Sequence, residues 1–148
     1  MDEQAKVIQI NDLKRFFQGI WWLRRGLDDR RAGQRGQLTG SAVFCLDGAD
    51  LLYREQGRLT IGDHDGSALQ AYRYRFPAPA QAAVHFSDGR FFHDLDLSQG
   101  RWSCTHLCDP DRYDGEITAL GEDSLRVVWQ VSGPRKDLTL DSTYRRAL

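Results

Sequence analysis

From about residue 20 to the end of the chain, apolar residues alternate with polar ones, and the alternation restarts after every short turn. Side chains on a strand point alternately to its two faces. Trp21, Leu23, Arg25 and Leu27 therefore share one face, as do Leu38, Gly40, Ala42, Phe44 and Leu46, and then Leu51, Tyr53, Glu55, Gly57 and Leu59. Further strands carry Tyr72, Tyr74 and Phe76; Ala82, Val84 and Phe86; Phe91, His93, Leu95 and Leu97; and Trp102, Cys104, His106 and Cys108. The last three carry Tyr113, Gly115, Ile117 and Ala119; Leu125, Val127, Trp129 and Val131; and Lys136 through Tyr144 and Arg146. The turns between them are rich in Asp, Gly and Pro, and Asp88-Gly89 is the strongest hairpin signal because glycine accepts positive φ without steric cost.

One segment has a helical period instead. Asn11 and Asp12 suit a helix start, Leu13, Phe16 and Phe17 form an i, i+3, i+4 face, and Gly19 is a natural stop. The spacing predicts a helix over about 12–18 that plugs or buttresses something apolar, while residues 1–10 read as a frayed lead-in. No βαβ pattern occurs, so a parallel sheet is not expected. A meander of about ten strands leaves two exposed edges, and closure removes them. The expected fold is all-β: one domain over residues 1–148, an antiparallel up-and-down barrel over about 20–147, with a two-sheet sandwich as the alternative.

Bulk properties bear on partners. A chain of 148 residues with a net charge of −1 is long enough for one core and has no overall attraction for polyanions. It has no long apolar run and no leader-like N-terminus, so a cytoplasmic protein is expected, without membrane or nucleic-acid partners. Cys45, Cys104 and Cys108 are odd in number and lack a framework spacing, which favours reduced thiols. On a strand, Cys104 and Cys108 would lie roughly 13 Å apart, too far to bridge.

The informative residues are polar ones that share the apolar face. Arg25, Tyr53, Glu55, Tyr72, Tyr74 and His93 are read as inward, as are His106, Cys108, Tyr113, Lys136, Tyr144 and Arg146. A small packed core would not tolerate so many, whereas a ten-stranded barrel can enclose a cavity. His93, His106 and Cys108 could gather as metal ligands, acid–base groups or a thiol nucleophile. However, no helical HxxxH or CxxC spacing supports a metal, and no cofactor is expected. The inward cations Arg25, Lys136 and Arg146 outnumber the inward acid Glu55. Either Glu55, Asp88 and Asp109 pair with them, or a bound anion does.

Several motifs together resemble an uncharacterised family. They are Gly19-Ile-Trp21, Phe86-Ser-Asp-Gly-Arg-Phe-Phe-His93, His106-Leu-Cys-Asp-Pro-Asp-Arg-Tyr113, Val131-Ser-Gly-Pro-Arg-Lys-Asp137 and Tyr144-Arg-Arg146. The family is domain of unknown function 6314, found in bacteria, fungi and plants, and the likeness runs from about residue 13 to 146. The resemblance implies a calycin-like, lipocalin-type barrel. It also implies that Arg90, His93, His106, Cys108, Asp109, Tyr113, Lys136 and Arg146 belong to one shared feature. It supplies no substrate.

The expected function is binding of a small aromatic or amphipathic anion by a monomer or homodimer. The expected pocket draws on Arg25, Glu55, Tyr74, Arg90, His93, His106, Cys108, Tyr113, Trp129, Lys136, Tyr144 and Arg146. One alternative is a small-molecule enzyme using His93, His106 and Cys108. The other is an interaction barrel whose polar interior is self-paired.

Overall fold

A computed structural model describes residues 6–147. Helix α1 (Leu13–Phe17) precedes ten strands: β1 (Gly19–Asp29), β2 (Gln34–Asp47), β3 (Asp50–Ile61), β4 (His64–Ala78), β5 (Gln81–Phe86), β6 (Phe91–Asp96), β7 (Arg101–Cys108), β8 (Asp111–Gly121), β9 (Ser124–Gly133) and β10 (Lys136–Arg146). Each strand pairs antiparallel with its sequence neighbours except at β6 and β7, and β1 pairs with β10. The sheet thus closes through its first and last strands, giving the expected up-and-down barrel, nearly closed. Its one slit lies between β6 and β7, the two ends of the strand order.

One end of the barrel is plugged by α1. Asp12 caps the helix, its Oδ1 accepting from the Arg15 amide at 3.2 Å. Five residues are too few for a helix to be stable alone, so its packing must hold it. Leu13 and Phe17 are almost fully buried, and Phe17 stacks on Phe44 with centroids 4.9 Å apart. At its C-terminus, Trp21 Nε1 donates to the Phe17 carbonyl at 2.8 Å, and Arg146 Nη2 donates to the Phe16 carbonyl at 2.7 Å. Gly19, at φ 121°, then turns the chain into β1.

Two details depart from the sequence reading. The lead-in does not fray over residues 8–10, because the Ile8 amide donates to Ala119 O and the Ile10 amide to Leu97 O; residues 1–5 lie outside the described residues. The second departure is a bulge in β6. Val84 pairs with His93 but His85 pairs with Phe91, leaving Phe92 unopposed. A bulge inverts the facing beyond it, so Phe91, expected inward, is 52% exposed, and Phe92 is buried.

Truncating the plug tests its contribution. Leu13→Ala is expected to lower the unfolding free energy by about 2–5 kcal/mol, read as a lower urea midpoint at unchanged slope.

Candidate functional site

The barrel axis is not filled. Between the plug and the middle of the barrel lies a cavity of about 260 Å³. Phe17 forms its floor, and Phe44, Tyr53, Tyr72 and Tyr74 form an aromatic wall from β2, β3 and β4. The bulge supplies the roof: Phe92, turned inward, stacks on Trp129 of β9 with centroids 4.9 Å apart and planes 20° apart. The opening follows from strand length. β4 pairs with β5 only from Tyr72 onward, so the first half of β4 has a free edge, where exposed Leu69 and Gln70 line the cavity.

One side of the cavity holds a polar cluster. Arg25 grips Glu55 with two hydrogen bonds of 2.7 and 3.0 Å, and its Nε donates to Ser142 Oγ at 2.7 Å. The Tyr53 hydroxyl lies 2.6 Å from Glu55 Oε1 and 2.9 Å from the Tyr144 hydroxyl. Burial works against the Arg25 charge, but the doubly hydrogen-bonded Glu55 carboxylate, with the phenol oxygens of Tyr144 and Tyr53 beside it, outweighs that and holds the guanidinium above its ordinary pKa. Burial likewise pushes the phenols of Tyr53, Tyr72, Tyr74 and Tyr144 upward, so all four stay neutral.

Across the cavity, His93 contributes a fixed tautomer. Its Nδ1 lies 2.8 Å from the Asp94 carbonyl oxygen. A carbonyl can only accept, so Nδ1 carries the proton and Nε2 is left as an acceptor. Burial, the larger influence, lowers the ring's pKa despite the opposing pull of the Asp94 carbonyl. The Asp94 carbonyl also accepts from Trp102 Nε1 at 2.9 Å, a bond that crosses the slit. Among the described residues, His93 Nε2 and the hydroxyls of Tyr72 and Tyr74 have no hydrogen-bond partner, yet no buried side-chain polar atom is left unsatisfied. These three groups therefore keep accessible surface, and all three residues belong to the cavity lining.

The expected site residues divide into three places. Arg25, Glu55, Tyr74, His93, Trp129 and Tyr144 line the cavity. His106 and Tyr113 sit beyond the roof, their rings 5.3 and 6.2 Å from Phe92 on its far side from the plug. Arg90, Cys108 and Lys136 are exposed at the open rim, with Arg90 paired to Asp88 at 2.7 Å and Lys136 to Asp111 at 2.9 Å. Arg146 lies at the opposite, plugged end, paired to Asp123 at 2.8 Å and stacked 4.2 Å from the centre of Trp21.

His93, His106 and Cys108 are consequently not gathered, and among the described residues no group of three His, Cys, Asp or Glu side chains is arranged to hold a metal. Cys108 ends β7, where the strand has run out past the interior. Burial, with Asp94 and Asp114, pushes the Cys104 thiol up to about 11, so it is not an activated nucleophile. All three cysteines are free. Phe92 was missed as a wall residue because nothing in Phe91-Phe92-His93 marks the bulge. Ser142 shared the inward face of β10, but a serine there carries no signal until Arg25 is placed beside it.

Comparison with known proteins gives a family and a fold. The model of a family of unknown function, DUF6314, matches residues 17–146. The S-type phycobiliprotein lyase CPES from Guillardia theta superposes with a TM-score of 0.67 at 9% identity, covering 100% of this chain and 98% of the lyase. A DUF3598 protein of unknown function from Nostoc punctiforme gives 0.62 at 10% identity, covering 95% of this chain and 50% of that one. A redesigned β-barrel gives 0.51 at 17% identity, covering 95% of this chain and 100% of the design. At these identities the likeness is one of fold. Among curated proteins, none matches significantly. Among the described residues, no helix is long and apolar enough to cross a membrane.

Two measurements examine the cavity's polar groups. Glu55→Gln strands the Arg25 charge and is expected to cost about 3–5 kcal/mol, whereas Arg25→Met with Glu55→Leu costs less than that single change in the same urea titration. For His93, the unfolded state takes up the proton first as pH falls, because the folded pKa is the lower one. Its contribution to stability is therefore intact above the unfolded value of about 6.5 and is lost as pH falls below it. His93→Gln should show a shallower decline in urea midpoint between pH 7.5 and 5 than the wild type.

Proposed function

This chain belongs to DUF6314, a family of unknown function, and we propose that it is a barrel that binds a small organic molecule in the cavity between Phe17 and the Phe92–Trp129 stack. The observation that carries this reading is that the cavity remains open although its ionic groups satisfy one another. Its volume of about 260 Å³ is near the lower end of ligand pockets, which run ~300–1,000 Å³. Aromatic rings, Phe44, Tyr72, Tyr74, Phe92 and Trp129 among them, share the lining with aliphatic side chains such as Leu38, Leu95 and Leu125, so a flat aromatic ligand body suits it.

The pairing of Arg25 alters the expected character of that ligand. With Glu55 held in two short hydrogen bonds, the guanidinium has its counter-charge within the protein. An anion would have to compete with a fixed carboxylate, and the rim cations Arg90 and Lys136 are already paired as well. Shape and aromatic contact, more than charge, then draw the ligand in. In this reading the whole chain is one calycin-like binding domain acting in the cytoplasm as a monomer or homodimer, with its three free thiols in keeping with a reducing compartment.

The test is a panel of bicyclic and biphenyl aromatics scored by thermal shift, alongside a variant with the cavity occupied. Ala68 lines the cavity near its opening, and Ala68→Phe should remove the shift without destabilising the barrel. A ligand at 100 times its Kd is expected to add about 2.7 kcal/mol. No shift across the panel, or an equal shift in Ala68→Phe, overturns the reading. A bound compound recovered in chemically altered form would instead favour an enzyme.

A further inference from the structure

Resting on the cavity as the ligand site, we infer that its ligand is an uncharged flat aromatic bearing a hydroxyl or N–H group, which donates a hydrogen bond to His93 Nε2. Three constraints on the cavity lead there. The first is the tautomer: the Asp94 carbonyl, 2.8 Å from Nδ1, commits that nitrogen as donor and leaves Nε2 able only to accept while the ring is neutral. The ring meets the edge of the Phe92–Trp129 stack, 4.8 Å from Phe92 and 5.2 Å from Trp129 and steeply inclined to both, so packing against the stack and the bond to Asp94 O together restrict its orientation. An acceptor fixed in this way discriminates between a ligand with a donor and one without, because the unmatched ligand leaves a desolvated lone pair unanswered.

The second constraint is charge. Arg25 and Glu55 cancel within the cavity wall, and the phenols that line it are neutral. A charged ligand would be desolvated without an opposite charge to meet it. The third is the remaining polar inventory. The Tyr53 and Tyr144 hydroxyls are engaged with Glu55 and with each other, whereas those of Tyr72 and Tyr74 have no protein partner. A phenolic ligand could donate to His93 through its proton and accept from one of these hydroxyls through its oxygen. An ether can accept but not donate, and a carboxylate offers only acceptors and brings a charge. The discriminating atom is therefore His93 Nε2.

The experiment compares 2-naphthol, 2-methoxynaphthalene and 2-naphthoate by calorimetric titration at pH 7.5 in wild type, His93→Phe and His93→Gln. His93→Phe keeps an aromatic ring beside the Phe92–Trp129 stack, and Asp94 O retains the Trp102 indole as its donor. In wild type, 2-naphthol is expected to bind about ten-fold tighter than its methyl ether, with naphthoate weakest. In His93→Phe the naphthol preference disappears while the ether still binds, and His93→Gln, whose amide oxygen can accept, restores part of it. Equal affinity for naphthol and ether in wild type, or a preference that survives His93→Phe, overturns the assignment to His93 and leaves the cavity reading standing. Tightest binding by naphthoate overturns the uncharged class. If none of the three binds while other aromatics in the panel do, the ligand class is wrong; if no aromatic binds at all, the cavity reading fails with it.

Discussion

The pairing of β1 with β10 is the interaction on which the rest of this barrel depends. It joins the first strand to the last, and its register sets Trp21 against Arg146, Leu23 against Tyr144 and Arg25 against Ser142. The first of these pairs lets Arg146 reach the carbonyls of Phe16 and Gln18 and fasten the plug. The other two bring Arg25, Ser142 and Tyr144 together, and from β3 Glu55 and Tyr53 complete the cluster. Closure of the sheet, the plug and the polar side of the cavity thus share one ladder of backbone hydrogen bonds. Slipping that ladder by one residue would turn Arg25 outward and remove Arg146 from the helix together.

The polar interior serves stability and an open site at once. Buried ions are tolerable when each finds a partner, and Arg25, Glu55, Tyr53 and Tyr144 satisfy one another across three strands. For the proposed binding role, that arrangement would remove charge as a means of recognition and leave the apolar and aromatic surface available. The groups still open, His93 Nε2 and two tyrosine hydroxyls, are directional and neutral. In the proposed site such groups would select by hydrogen-bond pattern, where a free guanidinium would have selected by sign.

Much of this was legible from alternation alone. Parity placed Arg25, Glu55, Tyr74, His93 and Tyr144 inward, and they line the cavity; the i, i+3, i+4 face of Leu13, Phe16 and Phe17 marked a plug. Depth along the barrel was not legible, because parity gives the face of a residue and not its height. Lys136 and Cys108 stand at the ends of their strands and Arg146 at the far end of its own, so three residues on the inward face are distributed over the two ends. The bulge at Phe92 was hidden for a different reason. Phe91 and Phe92 have the same side chain, and either could have faced inward until β5 imposed its register. That one inversion roofs the cavity and screens His106 and Tyr113 from it, which separates two groups of residues that one-dimensional spacing placed together.

The slit between β6 and β7 gives this barrel an unusual mechanical character. Around the rest of the circumference, apart from the free first half of β4, neighbouring strands are stitched by ladders of backbone hydrogen bonds, so widening the ring there would break several at once. At the slit, Trp102 reaches across to the Asp94 carbonyl, and the rings of Phe92 and His106 meet edge to face. A ring with no backbone ladder across one seam resists widening least at that seam. The strand on one side of the seam is β6, which carries both the roof of the cavity and the histidine beside it. Changes in girth are therefore transmitted directly to the shape of the cavity, and a molecule filling that cavity would in turn set how far the ring stands open.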